Sequence, residues 1–249
     1  MKLLSIAIPS YNSQDYLHHA VETLLSGGDD VEILIVDDGS KDRTAEIADE
    51  FERRNPGIVR AIHKENGGHG DAVMTGLANA TGRYFKVVDS DDWVDEESFK
   101  RVLARLKAMT EKDESVDMLI CNYVYDKVGV KHKHVMQYRS SLPIDRVFGW
   151  DEVNMGLGHY LLMHSVIYRT QLLRDCGVEY LVTQKIFWSY NEGDPFPYHY
   201  FTWKGMDGSA VTSFLPTSYT YRTDPKELCG AWRARAQKRH LDEFMVPFG

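Results

Sequence analysis

The chain is poor in cysteine, without a long apolar run and without an excess of positive charge, and each shortage excludes something. Three cysteines in 249 residues, Cys121, Cys176 and Cys229, are odd in number and far apart. That spacing makes neither a disulfide framework nor a zinc ribbon, and it reads as reduced thiols. No stretch approaches the ~18 consecutive apolar residues of a membrane span. The apolar run from Leu3 to Ile8 near the N-terminus is short and has no small-residue cleavage site after it, so it reads as a strand and not a signal peptide. Lys and Arg number 29 against 37 Asp and Glu, a net charge of -8. Bulk electrostatics therefore draws the chain to neither nucleic acid nor an acidic membrane surface. What is present is ordinary for a soluble protein: 43% hydrophobic and 27% charged residues, enough for a sizeable core in one large or two small domains.

The first half alternates in a regular way. Leu3 to Ile8 is a continuous apolar strand closed by Pro9. Asn12-Ser13 offers a cap, and Tyr16, Leu17, Ala20, Val21, Leu24 and Leu25 follow at helical spacing until Gly27-Gly28. Glu32 to Val36 is a second strand, Thr44 to Arg54 a second helix, and Ile58 to Ile62 a third strand. Gly67-Gly68-His69-Gly70 opens a third helix that runs through Ala80, and Tyr84 to Val88 is a fourth strand. A further helix over Glu96 to Ala108, a strand over Met118 to Val124, a strand over Leu161 to Tyr168 and a short helix over Arg169 to Cys176 complete the pattern. Strand and helix in alternation with short links predict an α/β fold: an open, mostly parallel sheet with helices on both faces. Ligands of such sheets sit beyond the carboxyl ends of the strands. Pro9-Ser10-Tyr11, Asp37-Asp38-Gly39-Ser40 and Asp89-Ser90-Asp91-Asp92 all lie at such ends and are predicted to converge.

These loops carry usable chemistry. Asp89 and Asp91, two apart in an extended loop, project to one side and can both face a hard divalent cation, Mg²⁺ or Mn²⁺. Such an ion neutralises a leaving diphosphate, which an acidic protein must do locally. The competing reading makes the same loop a cap for the helix that starts near Asp95-Glu96. Asp38 can accept a hydrogen bond from a nucleobase N–H, or it can simply shape a tight turn. Tyr11 can pack on a base or ribose, or be an ordinary half-buried tyrosine. Gly67-Gly68-His69-Gly70 lets a phosphate or sugar approach closely but does not fit the Gly-x-Gly-x-x-Gly dinucleotide pattern.

Taken together, Ser5-Ile6-Ala7-Ile8-Pro9-Ser10-Tyr11-Asn12, Ile35-Val36-Asp37-Asp38-Gly39-Ser40, Glu65-Asn66-Gly67-Gly68-His69-Gly70 and Asp89-Ser90-Asp91-Asp92 resemble the family-2 inverting glycosyltransferases of the GT-A fold. The likeness extends to about Cys176. It implies a nucleoside-diphosphate-sugar donor, UDP-sugar favoured, and a glycan or lipid-linked acceptor. It also implies nucleotide binding by Pro9, Tyr11, Asp38 and Asp89, with a cation held by Asp89 and Asp91. No nucleic-acid partner and no transmembrane segment are expected. The expected location is the cytoplasm, including the inner face of the membrane.

An inverting transferase also needs a general base for the acceptor hydroxyl. In families like this one it is a downstream carboxylate, usually in an acidic pair. The window from Cys176 to Lys185 holds only Glu179, Asp175 borders it, and Glu192 and Asp194 lie in an aromatic loop beyond. None fits, and no base is assigned. Character changes at this point. Tyr180 to Trp188, Phe196 to Ser209 and the tail Phe244 to Gly249 resemble part of a family-38 α-mannosidase catalytic domain. His199 and Asp207 in that piece have no basis as zinc ligands. The chain therefore divides into residues 1–176, a GT-A domain whose C-terminal part is incomplete, and 177–249, an irregular α-mannosidase-like fragment. Three functions follow: a metal-dependent glycosyltransferase with impaired activity, a nucleotide-sugar-binding protein with little turnover, or a hydrolase fragment. A fragment of a larger domain cannot bury its own apolar faces. Limited proteolysis should thus cut after residue 177 first, and equal resistance of both parts would refute the division.

Overall fold

The structure is a computed structural model that describes residues 1–112, 116–127, 131, 133–149, 152–153, 161–175 and 211–223. Four parallel strands form its first half: β1 (Leu4–Ser10), β2 (Val31–Asp37), β3 (Val59–His63) and β4 (Tyr84–Val87). They lie in the order β3-β2-β1-β4. Every residue of β1, β2 and β4 is buried, as continuous apolar runs with few polar members require of strands covered on both faces. The connecting helices are α1 (Leu17–Leu24), α2 (Thr44–Arg54) and α3 (His69–Asn79), and α4 (Glu96–Glu111) follows β4.

Beyond β4 the sheet becomes mixed. β5 (Met118–Lys127), β6 (His134–Met136), β7 (Val147–Phe148), β8 (Val166–Arg169) and β9 (Val211–Thr223) continue it, with α5 (Thr170–Asp175) after β8. β8 runs antiparallel between β4 and β5, and β9 lies parallel to β5 and antiparallel to β7. The full order is β3-β2-β1-β4-β8-β5-β9-β7, with β6 on the edge of β5 beyond β8. The open, largely parallel α/β sheet expected from the strand–helix alternation is therefore present. The described piece of the C-terminal segment, Val211–Thr223, is a strand of that same sheet. The remainder of 177–249, including Glu179, Glu192, Asp194, His199 and Asp207, lies outside the described residues.

Two local expectations changed. α1 starts at Leu17 with no side-chain cap, because Asn12 Oδ1 is taken by the Lys41 N–H and Ser13 Oγ by Ser90 Oγ. The strand expected over Leu161 to Tyr168 is shortened to Val166–Arg169 by a 3₁₀ turn at Met163–Ser165. The cap of α4 is Asp95, which accepts a hydrogen bond from the Ser98 N–H at 2.9 Å, and not the Asp89–Asp92 loop.

Close approach of helix to sheet rests on Gly76. A Cβ there would meet the Ala7 Cβ at 2.5 Å, so any larger residue would lift α3 off β1. At the opening end of the sheet, Glu32 is 5% exposed and collects four donors. They are the Ser5 hydroxyl, the Thr81 hydroxyl at 2.9 Å, the Gly82 N–H at 3.2 Å and the Thr81 N–H. Glu32 thereby fixes the turn that leads into β4. Truncating it removes the acceptor of the buried Ser5 hydroxyl and of the Thr81 groups, while the Gly82 N–H keeps Ser5 Oγ at 2.7 Å, so Glu32→Ala should cost about 2 kcal/mol of stability. Urea unfolding would show this as a lower midpoint at unchanged slope.

Candidate functional site

The order β3-β2-β1-β4 places the topological switch between β1 and β4, because the chain leaves β1 toward β2 and later returns to its other side. The loops after β1, β2 and β4 and the start of α3 meet at this crevice, tied by side chains. After β1, the Asn12 N–H donates to Ser40 Oγ at 2.9 Å and Asn12 Oδ1 accepts from the Lys41 N–H at 2.8 Å. The Ser13 N–H donates to Thr44 Oγ1 at 2.7 Å. Ser13 Oγ meets Ser90 Oγ at 2.7 Å, which joins the β1 loop to the acidic loop after β4. His69, the first residue of α3, brings Nε2 to 2.7 Å from Asp89 Oδ1 and joins the third element to the same loop.

Each residue expected to hold a nucleotide has a definite place. Pro9 is buried within β1 opposite Val36, so it can act only by shaping the backbone that ends in Ser10 and Tyr11. Tyr11 stands at the rim, 48% exposed, with its ring free to receive a flat partner. Asp38 is buried, and its carboxylate already accepts three hydrogen bonds. They come from Lys64 Nζ at 2.7 Å, the Gly67 N–H at 2.9 Å and the Gly68 N–H at 2.7 Å. A carboxylate has about four lone-pair sites, which leaves Asp38 one for a ligand. Asp38 thus shapes the loop before α3. Burial works against the Lys64 charge, but the hydrogen bonds to Asp38 and Asp71 outweigh it and raise the Lys64 pKa.

The acidic loop is a tight turn closed by the Asp92 N–H on the Asp89 carbonyl at 3.0 Å. Asp89 and Asp91 are half-buried, whereas Asp92 is fully buried. Among the described residues the metal-ligating types that come together are Asp89, Asp92 and His164, with one atom of each within 4.8 Å of the others. Two carboxylates and an imidazole suit a divalent ion. Asp91 is not in that group; it lies one residue away on the same turn. Beneath the loop lies Lys86 of β4, 3% exposed, its ammonium donating to the His164 carbonyl at 2.9 Å. Burial pushes the Lys86 pKa down to about 8, against the opposing pull of Cys121, Asp92 and Asp89.

Lys64, Lys86, Asp92 and His164 were not singled out by the sequence reading. Lys86 did leave a signal, a single charge inside the apolar run Tyr84 to Val88. Asp175, which bordered the window for a general base, lies away from the crevice. α5 is fastened to the opening end of β4 by Thr170 Oγ1 on the Gly82 carbonyl at 2.7 Å. Arg174 adds bonds to the Leu77 and Ala80 carbonyls at 3.0 and 2.7 Å.

Comparison with known proteins decides the family. The sequence model described as glycosyl transferase family 2 matches residues 5–170, two thirds of the chain. The chain belongs to glycosyl transferase family 2. The N-terminal domain model of glycosyl hydrolases family 38 matches residues 168–249, in agreement with the two-part resemblance. The uncharacterized glycosyltransferase EpsJ of Bacillus subtilis (strain 168) is 28% identical over 256 residues, covering 97% of this chain and 67% of EpsJ. Its alignment therefore also runs through most of the segment that the family-38 model matches. Glycosyltransferase GlyG of Streptococcus pneumoniae serotype 4 is 39% identical over 129 residues, covering 51% of this chain. The chain spans about two thirds of EpsJ and 41% of GlyG.

Among solved structures, S. aureus TarS 1-349 in complex with UDP matches with a TM-score of 0.62 at 18% identity, over 100% of this chain and 67% of that one. The mannosyltransferase PcManGT of Pyrobaculum calidifontis, in complex with GDP-Man and Mn²⁺, matches with a TM-score of 0.56 at 15% identity, over 99% of this chain and 65% of that one. At such identities the likeness is one of fold. Among the described residues no helix is long and apolar enough to cross a membrane.

Asp37, beside Asp38, is held by His63, whose Nδ1 lies 3.2 Å from Asp37 Oδ2 and whose Nε2 lies 3.0 Å from Asp49 Oδ1. The hydrogen bond to Asp49 raises the His63 pKa above its ordinary 6.5; burial opposes this, and Asp37 adds to it. A pKa raised on folding gives stability that is complete below the unfolded value and lost as pH climbs through the folded one. The Tm difference between wild type and His63→Gln should therefore be largest near about pH 5.5 and shrink by about pH 8, read by thermal denaturation across that range.

Proposed function

We propose that this chain is a metal-dependent glycosyltransferase that moves a sugar, with inversion, from a nucleoside-diphosphate-sugar donor to a glycan or lipid-linked acceptor. The observation that carries the reading is the gathering of four strand-end segments at the β1–β4 switch point, joined by the Ser13–Ser90 and His69–Asp89 contacts. Family membership and the UDP bound in TarS favour a UDP-sugar. In this reading Tyr11 packs on the base, Asp38 offers its remaining acceptor site to a base N–H, and Pro9 sets the backbone beneath them. Asp89 lies close to the ribose, and Asp89 and Asp91 hold Mg²⁺ or Mn²⁺. The residues fit such an ion: hard oxygen ligands on a tight, half-buried turn, in an acidic protein. A bound cation supplies charge neutralisation for the departing diphosphate. The chain itself orients the donor and keeps the acidic loop rigid through Ser90 and His69.

A second reading, binding with little turnover, is favoured by the placement of Asp175 at the far end of β4. In either reading we divide the chain near residue 176 into a donor-binding domain and an α-mannosidase-like segment. A cytoplasmic location, on the inner membrane face where the acceptor is lipid-linked, accompanies the first reading. Calorimetry with UDP and Mn²⁺ should give saturable binding that EDTA abolishes, and Asp91→Ala should weaken it by about tenfold or more. Unchanged affinity and unchanged metal dependence in Asp91→Ala would overturn the cation assignment. Release of free sugar or transfer from a UDP-sugar then separates the enzyme from the binding protein.

A further inference from the structure

Lys86 is a charged residue in the middle of a buried sheet, and the mechanism above leaves it without a task. On β4 it stands opposite Ile6 of β1, and it is 3% exposed. On its other side β8 accompanies β4 only at Tyr84 with Arg169 and Phe85 with Tyr168. One residue further along β4 the two strands part, and the Lys86 ammonium spans the gap to the His164 carbonyl at 2.9 Å. His164 Nδ1 stands 3.8 Å from Asp92 Oδ2, and the Asp92 N–H closes the acidic turn on Asp89. A chain of contacts thus runs from the floor of the crevice to the loop that carries Asp89 and Asp91.

A buried ammonium is costly unless an opposite charge lies near it. Cys121, Asp92 and Asp89 are the groups whose charge favours that of Lys86, and of the two carboxylates Asp92 is fully buried. This bears on the grouping of Asp89, Asp92 and His164. A divalent ion seated among the three would lie beside the Lys86 cation in surroundings of low dielectric, where like charges repel strongly. Asp91, on the half-buried rim of the turn, lies outside that group.

We propose that Lys86 is the internal counter-ion of the acidic loop, paired with Asp92 and braced by His164, and acts as a positioning residue that holds Asp89 and Asp91 ready for donor and cation. Asp92 and His164 then belong to the clamp under the loop, not to the ion cage. The positioning half of this inference rests on the donor-site reading; the counter-ion half does not.

The test uses the full chain and three variants: Lys86→Met, Asp92→Asn and both together. Thermal denaturation and calorimetry with UDP and Mn²⁺ are the two readouts. Each single variant strands one buried charge and should lower Tm and weaken UDP–Mn²⁺ binding by about tenfold. The double variant carries neither charge, so it should regain most of the Tm and bind within about threefold of wild type. Recovery of binding is the readout that a merely space-filling Lys86 would not give. Additive losses in the double variant overturn the pairing. Loss of Mn²⁺ dependence in Asp92→Asn, without recovery in the double, overturns it too and makes Asp92 an ion ligand. Should either single variant fail to fold, a folded double variant supports the proposal and an unfolded one refutes it. Should the wild-type chain bind no UDP, the donor reading fails, while the Tm comparison still decides whether Lys86 and Asp92 are partners.

Discussion

Complete burial of β1 is the constraint from which the rest follows. All seven residues from Leu4 to Ser10 are covered, with β2 on one edge, β4 on the other and α3 pressed against the face at Ala7. A strand enclosed in this way has no room for exposed polar groups along its length, so chemistry can appear only where it ends. The chain leaves β1 in one direction and returns on its other side, which makes its end a point where separate loops are forced together. Ser13, Ser40, Thr44, His69 and Ser90 then join those loops by short hydrogen bonds.

The same ends show how an acidic chain manages charge in a confined place. Asp38 receives two successive backbone N–H groups at the start of α3, the position where helices attract anions. It also receives Lys64, whose three N–H groups are all taken by Asp38, Asp71 and the Glu65 carbonyl. Local pairing of this kind leaves the overall negative charge intact while keeping each carboxylate fixed in direction. The loop after β4 differs. There Asp89 is met by His69 Nε2 at 2.7 Å, and Asp89 and Asp91 stay half-buried at the rim.

Much of this was legible in the sequence, for a physical reason. Strand ends in a parallel sheet are marked locally, by an apolar run that stops at Pro9, Asp37 or Asp89, so the loops at these ends could be placed from pattern, whereas the roles given to Pro9, Tyr11, Asp38, Asp89 and Asp91 came from the family resemblance. The four strands and three helices of the first half followed from the same punctuation. Contacts between residues distant in the chain were not legible. Lys64 lies 26 residues from Asp38, and Lys86 lies 78 from the His164 carbonyl that it meets. No spacing rule links such positions. Asn12 and Ser13 misled for a related reason: they are good helix caps by type, but their side chains are engaged by Lys41 in the turn after β2 and by Ser90 in the loop after β4. The 3₁₀ turn at Met163–Ser165 was hidden inside a run that periodicity alone reads as one strand.

The anchoring of α5 sets a limit on reach. Thr170 and Arg174 fasten that helix at the level of Gly82, where β4 begins, while the acidic loop lies where β4 ends. A strand advances about 3.3 Å per residue, so the two ends stand roughly 20 Å apart along the sheet. Any group from downstream of Asp175 that is to act at the crevice must first cross that span, which takes about six residues of fully extended chain. The completeness of the site is therefore a question of tether length before it is one of chemistry.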